Sequence, residues 1–153
     1  MESDITRQPL DKHLGYWLRL VSNRVSGGFT RALQSKQVSV GEWVALNLIE
    51  HGAGRRSTDI AALTGMTRGA LSKILDKLEC KGWISRQTTS EDQRAQSLSL
   101  TNKGARALPQ LAAIADGNDE HFFRCLTATE RATLEALLRK LTAAHGIDQH
   151  PTE

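Results

Sequence analysis

The chain has few of the residues that mark out several classes of protein. Two cysteines, Cys80 and Cys125, among 153 residues cannot make a disulfide framework, so a reducing cytoplasm is the expected setting. No apolar run approaches the roughly 20 residues that cross a bilayer. The opening Met1, Glu2, Ser3 and Asp4 offer neither the basic start nor the apolar core of a secretory signal, and no membrane partner is expected. Phosphate loops, nucleophile elbows and paired carboxylates are missing, which argues against an enzyme. His13, His51, His121, His145 and His150 are scattered without a ligand pair at metal-binding spacing. Asp119 and His121, two apart, would splay to different faces of a helix. Neither a metal nor a cofactor is therefore expected. Internal repeats and low-complexity tracts are also lacking.

What remains is an ordinary globular composition, 39% hydrophobic and 24% charged, at a length suited to one domain or two small lobes sharing a core. The net charge of +3 says little by itself, but its placement says more. Eight basic residues (Arg55, Arg56, Arg68, Lys73, Lys77, Lys81, Arg86, Arg94) face five acidic ones between positions 55 and 94, while the remainder balances at twelve of each. The whole excess sits in one central segment, as expected of a polyanion-binding surface, though charge alone fits a solvated surface with chance clustering equally well.

Apolar residues at three- and four-residue spacing, from Leu14 and Trp17 through Val21, Val25 and Phe29 to Leu33, predict a long first helix interrupted at Gly27 and Gly28. Ser39 and Glu42 have the spacing of a capping box and open a second helix carrying Trp43, Leu46 and Ile49 inward. Ser57 is the expected cap of a short third helix ending at Gly65, and Thr67 that of a fourth ending at Gly82. Residues 83–88 read as a strand and residues 96–100 as its alternating partner. Thr101 caps a fifth helix running to about Leu126, in which Pro109 and Gly117 predict a kink or partial break. Thr127 and Glu130 form a second capping box, opening a sixth helix that ends at Gly146. The expected class is mainly α with a small β-hairpin wing (α+β), a winged helix-turn-helix between flanking helices. The expected boundaries are an N-terminal flanking helix over 1–36, a winged helix-turn-helix lobe over 37–101, C-terminal flanking helices over 102–146, and a frayed tail over 147–153, the long apolar stripes of the flanks being suited to dimerisation.

On the fourth helix, Leu71, Ile74, Leu75 and Leu78 share one stripe, and the early outward face carries Arg68, Gly69, Ser72 and Lys73. Small residues let a helix approach the floor of a major groove, while arginine and lysine reach base acceptors or phosphates. At the hairpin tip, Arg94 is suited to the negative potential of a minor groove, with Asp92 placed to hold it extended.

These features resemble the MarR family of bacterial transcription regulators over residues 14–141. The most specific part is Asp92, Gln93, Arg94 and Ala95 followed by Leu98 to Gly104, similar to the family's wing motif of D-x-R, a small residue, then L-T-x-x-G. Thr67 to Ser72 with Leu75, Leu78 and Gly82 are similar to its recognition helix and the turn that closes it. The resemblance implies a homodimer, paired through its terminal helices, on a pseudo-palindromic double-stranded operator. It implies repression relieved by a small aromatic ligand or an oxidant. It assigns minor-groove contact to Arg94, support to Asp92, and major-groove or phosphate contacts to Thr67, Arg68, Ser72 and Lys73. An effector pocket between dimer helices and winged lobe would be lined by His13 and Trp17. Two alternatives stand beside this: a winged-helix module that binds protein, and a thiol-based sensor using Cys80, which lies opposite the apolar stripe near Lys77 and Lys81.

Overall fold

A computed structural model describes residues 9–88 and 96–153. A single 3-10 turn, Leu10–Lys12, leads into α1 (Leu14–Gln34), followed by α2 (Val40–Glu50), α3 (Ser57–Thr64) and α4 (Arg68–Cys80). The strands β1 (Ile84–Thr88) and β2 (Gln96–Leu100) pair antiparallel, with Ile84 opposite Leu100 and Thr88 opposite Gln96. α5 (Asn102–Phe123) and α6 (Ala128–Ala144) complete the chain. The mainly helical architecture with one small hairpin is the one expected from the sequence.

Local chemistry sets most of the boundaries. Ser39 Oγ accepts from the Glu42 amide at 3.1 Å while Glu42 Oε2 accepts from the Ser39 amide at 2.7 Å, closing the capping box of α2. Thr67 Oγ1 accepts from the Ala70 amide at 3.2 Å and so opens α4. Gly65 and Gly82, both at φ +70°, turn the chain out of α3 and α4 in the left-handed conformation that glycine tolerates best.

Three local expectations are corrected. Ser57 is the first residue of α3 rather than its cap; Arg56 precedes the helix in extended conformation, and its amide donates to Asp59 Oδ2 at 2.9 Å. α5 runs unbroken through Pro109, because a proline removes one backbone bond while Leu108, Leu111 and Ile114 pack that stretch onto the core. α1 is likewise continuous through Gly27 and Gly28. A Cβ at position 28 would stand 2.8 Å from Asn118 Oδ1, and Asn118 Nδ2 donates to Val25 O, so this glycine marks where α5 crosses α1.

The core gathers in the winged lobe. Leu46, Ile60 and Leu78 are fully buried there together with Ile84 and Leu98, and α1 and α5 contribute Leu33 and Leu111. Gly104 explains the close of the L-T-x-x-G pattern: a Cβ there would collide with the Trp83 carbonyl oxygen. Thr101 ties the same junction from both sides, its hydroxyl donating to Gly82 O and accepting from the Gly104 amide. The flanking helices differ sharply, for no residue of α6 is buried. The tail expected to fray lies against the lobe instead, where the His150 amide donates to Leu63 O at 2.8 Å.

Candidate nucleic-acid interface

α4 is held by one face and offers the other. Leu71, Leu75 and Leu78 are buried, whereas Thr67, Arg68, Gly69, Ser72 and Lys73 are all exposed. Among the described residues, no carboxylate lies within ion-pair distance of Arg68 or Lys73. Gly69 has no neighbour within 4 Å of where a Cβ would stand, so nothing inside the protomer demands a glycine. A glycine there leaves the backbone open to close approach from outside. The first-turn amides of a helix lack intrahelical acceptors; here the Ala70 amide is taken by Thr67 Oγ1, and the exposed Arg68 stands at the same end. Together these groups can bind phosphate and read a groove edge.

The other members of the basic excess divide by role. Arg86 on β1 reaches Asp76 Oδ1 at 2.6 Å and Glu79 Oε2 at 2.7 Å, so its guanidinium clamps the hairpin to α4. Lys81 donates to Glu42 Oε1 at 3.0 Å and to Gln37 O at 2.6 Å, which gives the buried Glu42 its counter-charge and closes the loop between α1 and α2. Neither role is legible from charge alone, since both partners are distant in sequence. The base of the hairpin has a further support that strand periodicity misses. The Leu98 amide donates to Arg55 O at 2.8 Å, and Arg56 bridges Ser97, adding a short third edge ahead of α3. Asp92 and Arg94, assigned to the wing tip, lie outside the described residues.

His13 and Trp17 fall on the exposed start of α1, where Trp17 Nε1 donates to Asp11 O at 2.8 Å and its ring meets Tyr16 edge-on. Leu14, Leu18, Leu20 and Val21 are exposed on the same helix, as are Leu137, Leu138 and Leu141 on α6. A cavity of about 640 Å³ opens between α3, α4 and the hairpin, bringing Arg68, Ser72 and Arg86 beside Leu71, Leu75 and Leu98. Cys80 and Cys125 are both exposed thiols. At the hinge between α5 and α6, Arg131 Nη1 lies 2.9 Å from Glu120 Oε2, and this hydrogen bond holds the Glu120 carboxyl below its ordinary range. Glu130 is lowered as well, by the Thr127 backbone amide and then the Thr127 hydroxyl that its carboxylate accepts from.

The multiple antibiotic resistance protein MarR of Escherichia coli is 30% identical over 130 residues, covering 84% of this chain and 90% of the relative. The chain belongs to the MarR family. The family profile, described as MarR family, matches residues 38–95, which hold α2, α3, α4 and β1 and end just before β2. Two solved MarR-type structures superpose on most of the chain. A transcriptional repressor, CouR, bound to a 23-mer DNA duplex aligns with a TM-score of 0.77 at 27% identity, covering 87% of this chain and 94% of that one. A MarR family protein of Mycobacterium tuberculosis in complex with p-aminosalicylic acid aligns with a TM-score of 0.68 at 26% identity, covering 84% and 98%. Like the MarR family at large, whose members are transcription regulators rather than enzymes, this is a DNA-binding transcription regulator. Among the described residues no helix is long and apolar enough to cross a membrane.

Proposed function

We propose that the chain is a homodimeric repressor that binds a pseudo-palindromic operator and is released by a small aromatic ligand. The observation that carries this is the exposed, Thr67-capped start of α4, small and basic at Arg68, Gly69, Ser72 and Lys73. Two copies related by a two-fold axis would set their α4 helices into successive major grooves on one side of the duplex, about 34 Å apart. Arg94, with Asp92 in support, would enter the minor groove alongside. The leucines left uncovered on α1 and α6 supply apolar surface for pairing. In the cavity between α4 and the hairpin, Arg68 and Ser72 beside leucines suit an aromatic carboxylate, because Arg86 is already engaged by two carboxylates. His13 and Trp17 lie on the helix that pairing would cover and remain a second location for such a ligand. The test is binding to the DNA upstream of the chain's own gene as salt rises from about 50 to 200 mM, where several phosphate contacts should lower affinity by roughly three orders of magnitude or more. Absence of binding at every salt concentration would favour a protein-binding module. Repeating the titration with small aromatic acids tests release.

A further inference from the structure

The last turn of α3 leaves carbonyl groups without helical partners, as every helix end does. One of them, Leu63 O, is taken by the His150 amide at 2.8 Å. Gln149 lies over the adjoining Gly65, so that a Cβ on this glycine would stand 2.7 Å from its Oε1. Further along, Thr152 is half-buried and faces a cavity of about 580 Å³ shared with Thr30, Gln34, Lys77 and Lys81. Its carbonyl stands 3.8 Å from the position a Cβ on Gly41 would take. The chain reaches this site from the end of α6, where Gly146 at φ +59° turns it and the Ile147 amide closes onto Thr142 O.

α6 itself buries nothing in the protomer. Its start is fixed by Arg131, which bonds Glu120 and the Phe123 carbonyl, and its end by the segment that follows it. That segment grips the turn immediately before Thr67, the residue that caps α4. We infer that residues 149–152 form a strap tying the C-terminal helix to the turn between α3 and α4. Through it, a movement of α6 changes the setting of the α4 N-terminus. The strap itself needs no DNA; only its effect on affinity rests on the function proposed above.

Two variants test it, His150→Pro, which deletes the donor to Leu63 O, and a chain ending at Asp148. Hydrogen exchange is measured without DNA on the full-length chain and on both variants, with oligomeric state and melting recorded alongside. The amides of Gly65 and Met66, which donate to Ala61 O and Thr64 Oγ1, should exchange about tenfold faster in each variant, as expected when a local closing contact is lost. Affinity for the upstream DNA should fall about three- to tenfold, because the binding-competent setting of α4 is then less populated. Unchanged exchange at the turn in both variants overturns the strap. Faster exchange with unchanged affinity overturns its coupling to α4. Failure of the full-length chain to bind DNA would refute the regulator reading alone, leaving the exchange comparison to decide the strap.

Discussion

The winged lobe and the flanking helices are built from similarly amphipathic segments, yet they end in opposite states. Within the lobe, the leucines of α2 and α4 meet Ile60, Ile84 and Leu98, and the apolar stripe of each helix is closed off inside one protomer. On α1 and α6 the same kind of stripe stays open: Leu14, Leu18, Leu137 and Leu141 are exposed although their spacing is that of buried positions. Spacing reveals that a face will be covered; it does not say by which chain. The lobe closes its own apolar faces, whereas the flanks leave theirs exposed, which is the surface the proposed pairing would use.

This contrast can be broken or sharpened experimentally. Leu78→Ala, at a fully buried position of the lobe, should destabilise folding by about 2–5 kcal/mol in a denaturant titration. The pair Leu137→Asp and Leu141→Asp should leave the lobe folded but yield monomers in sedimentation. DNA affinity should drop roughly 100-fold or more as two linked contacts become one. If that double variant unfolds the lobe instead, α6 belongs to the protomer core and the contrast is wrong. Arg94→Ala should weaken operator binding by about 1–3 kcal/mol with melting unchanged, and an unaltered affinity would remove its wing role. Lys73→Ala should cost a similar amount on every sequence and flatten the salt dependence by about one phosphate contact, whereas a loss confined to one operator variant would make it a base reader. Gly69→Ala should raise fold stability by about 0.5–1 kcal/mol, since no atom opposes the added methyl, while lowering DNA affinity. A stabilised variant that binds as tightly as before would show that the backbone there does not approach DNA closely.

What could be read from the chain beforehand was local. The capping pairs at Ser39 and Glu42 and at Thr127 and Glu130, and the threonines before α4 and α5, act across three residues and carry their signature with them. The outward face of α4 follows from simple helical periodicity. Contacts between distant segments left no such signature. Arg86 gives no hint that its partners are Asp76 and Glu79 rather than phosphate, and the edge formed by Arg55 and Arg56 is too short to alternate. The docked tail depends on a carbonyl far upstream, and α5 passes through Pro109 because packing outweighs one missing bond.

The clamp that Arg86 places between β1 and α4 has a consequence for how such a protein changes its target. Hairpin and helix are tied to each other by ion pairs whose members are not the residues at the start of α4. None of positions 68, 69, 72 and 73 takes part in those ion pairs, so substitutions there leave the tie between hairpin and helix in place, and a change in binding that they cause is a change in contact and not in architecture.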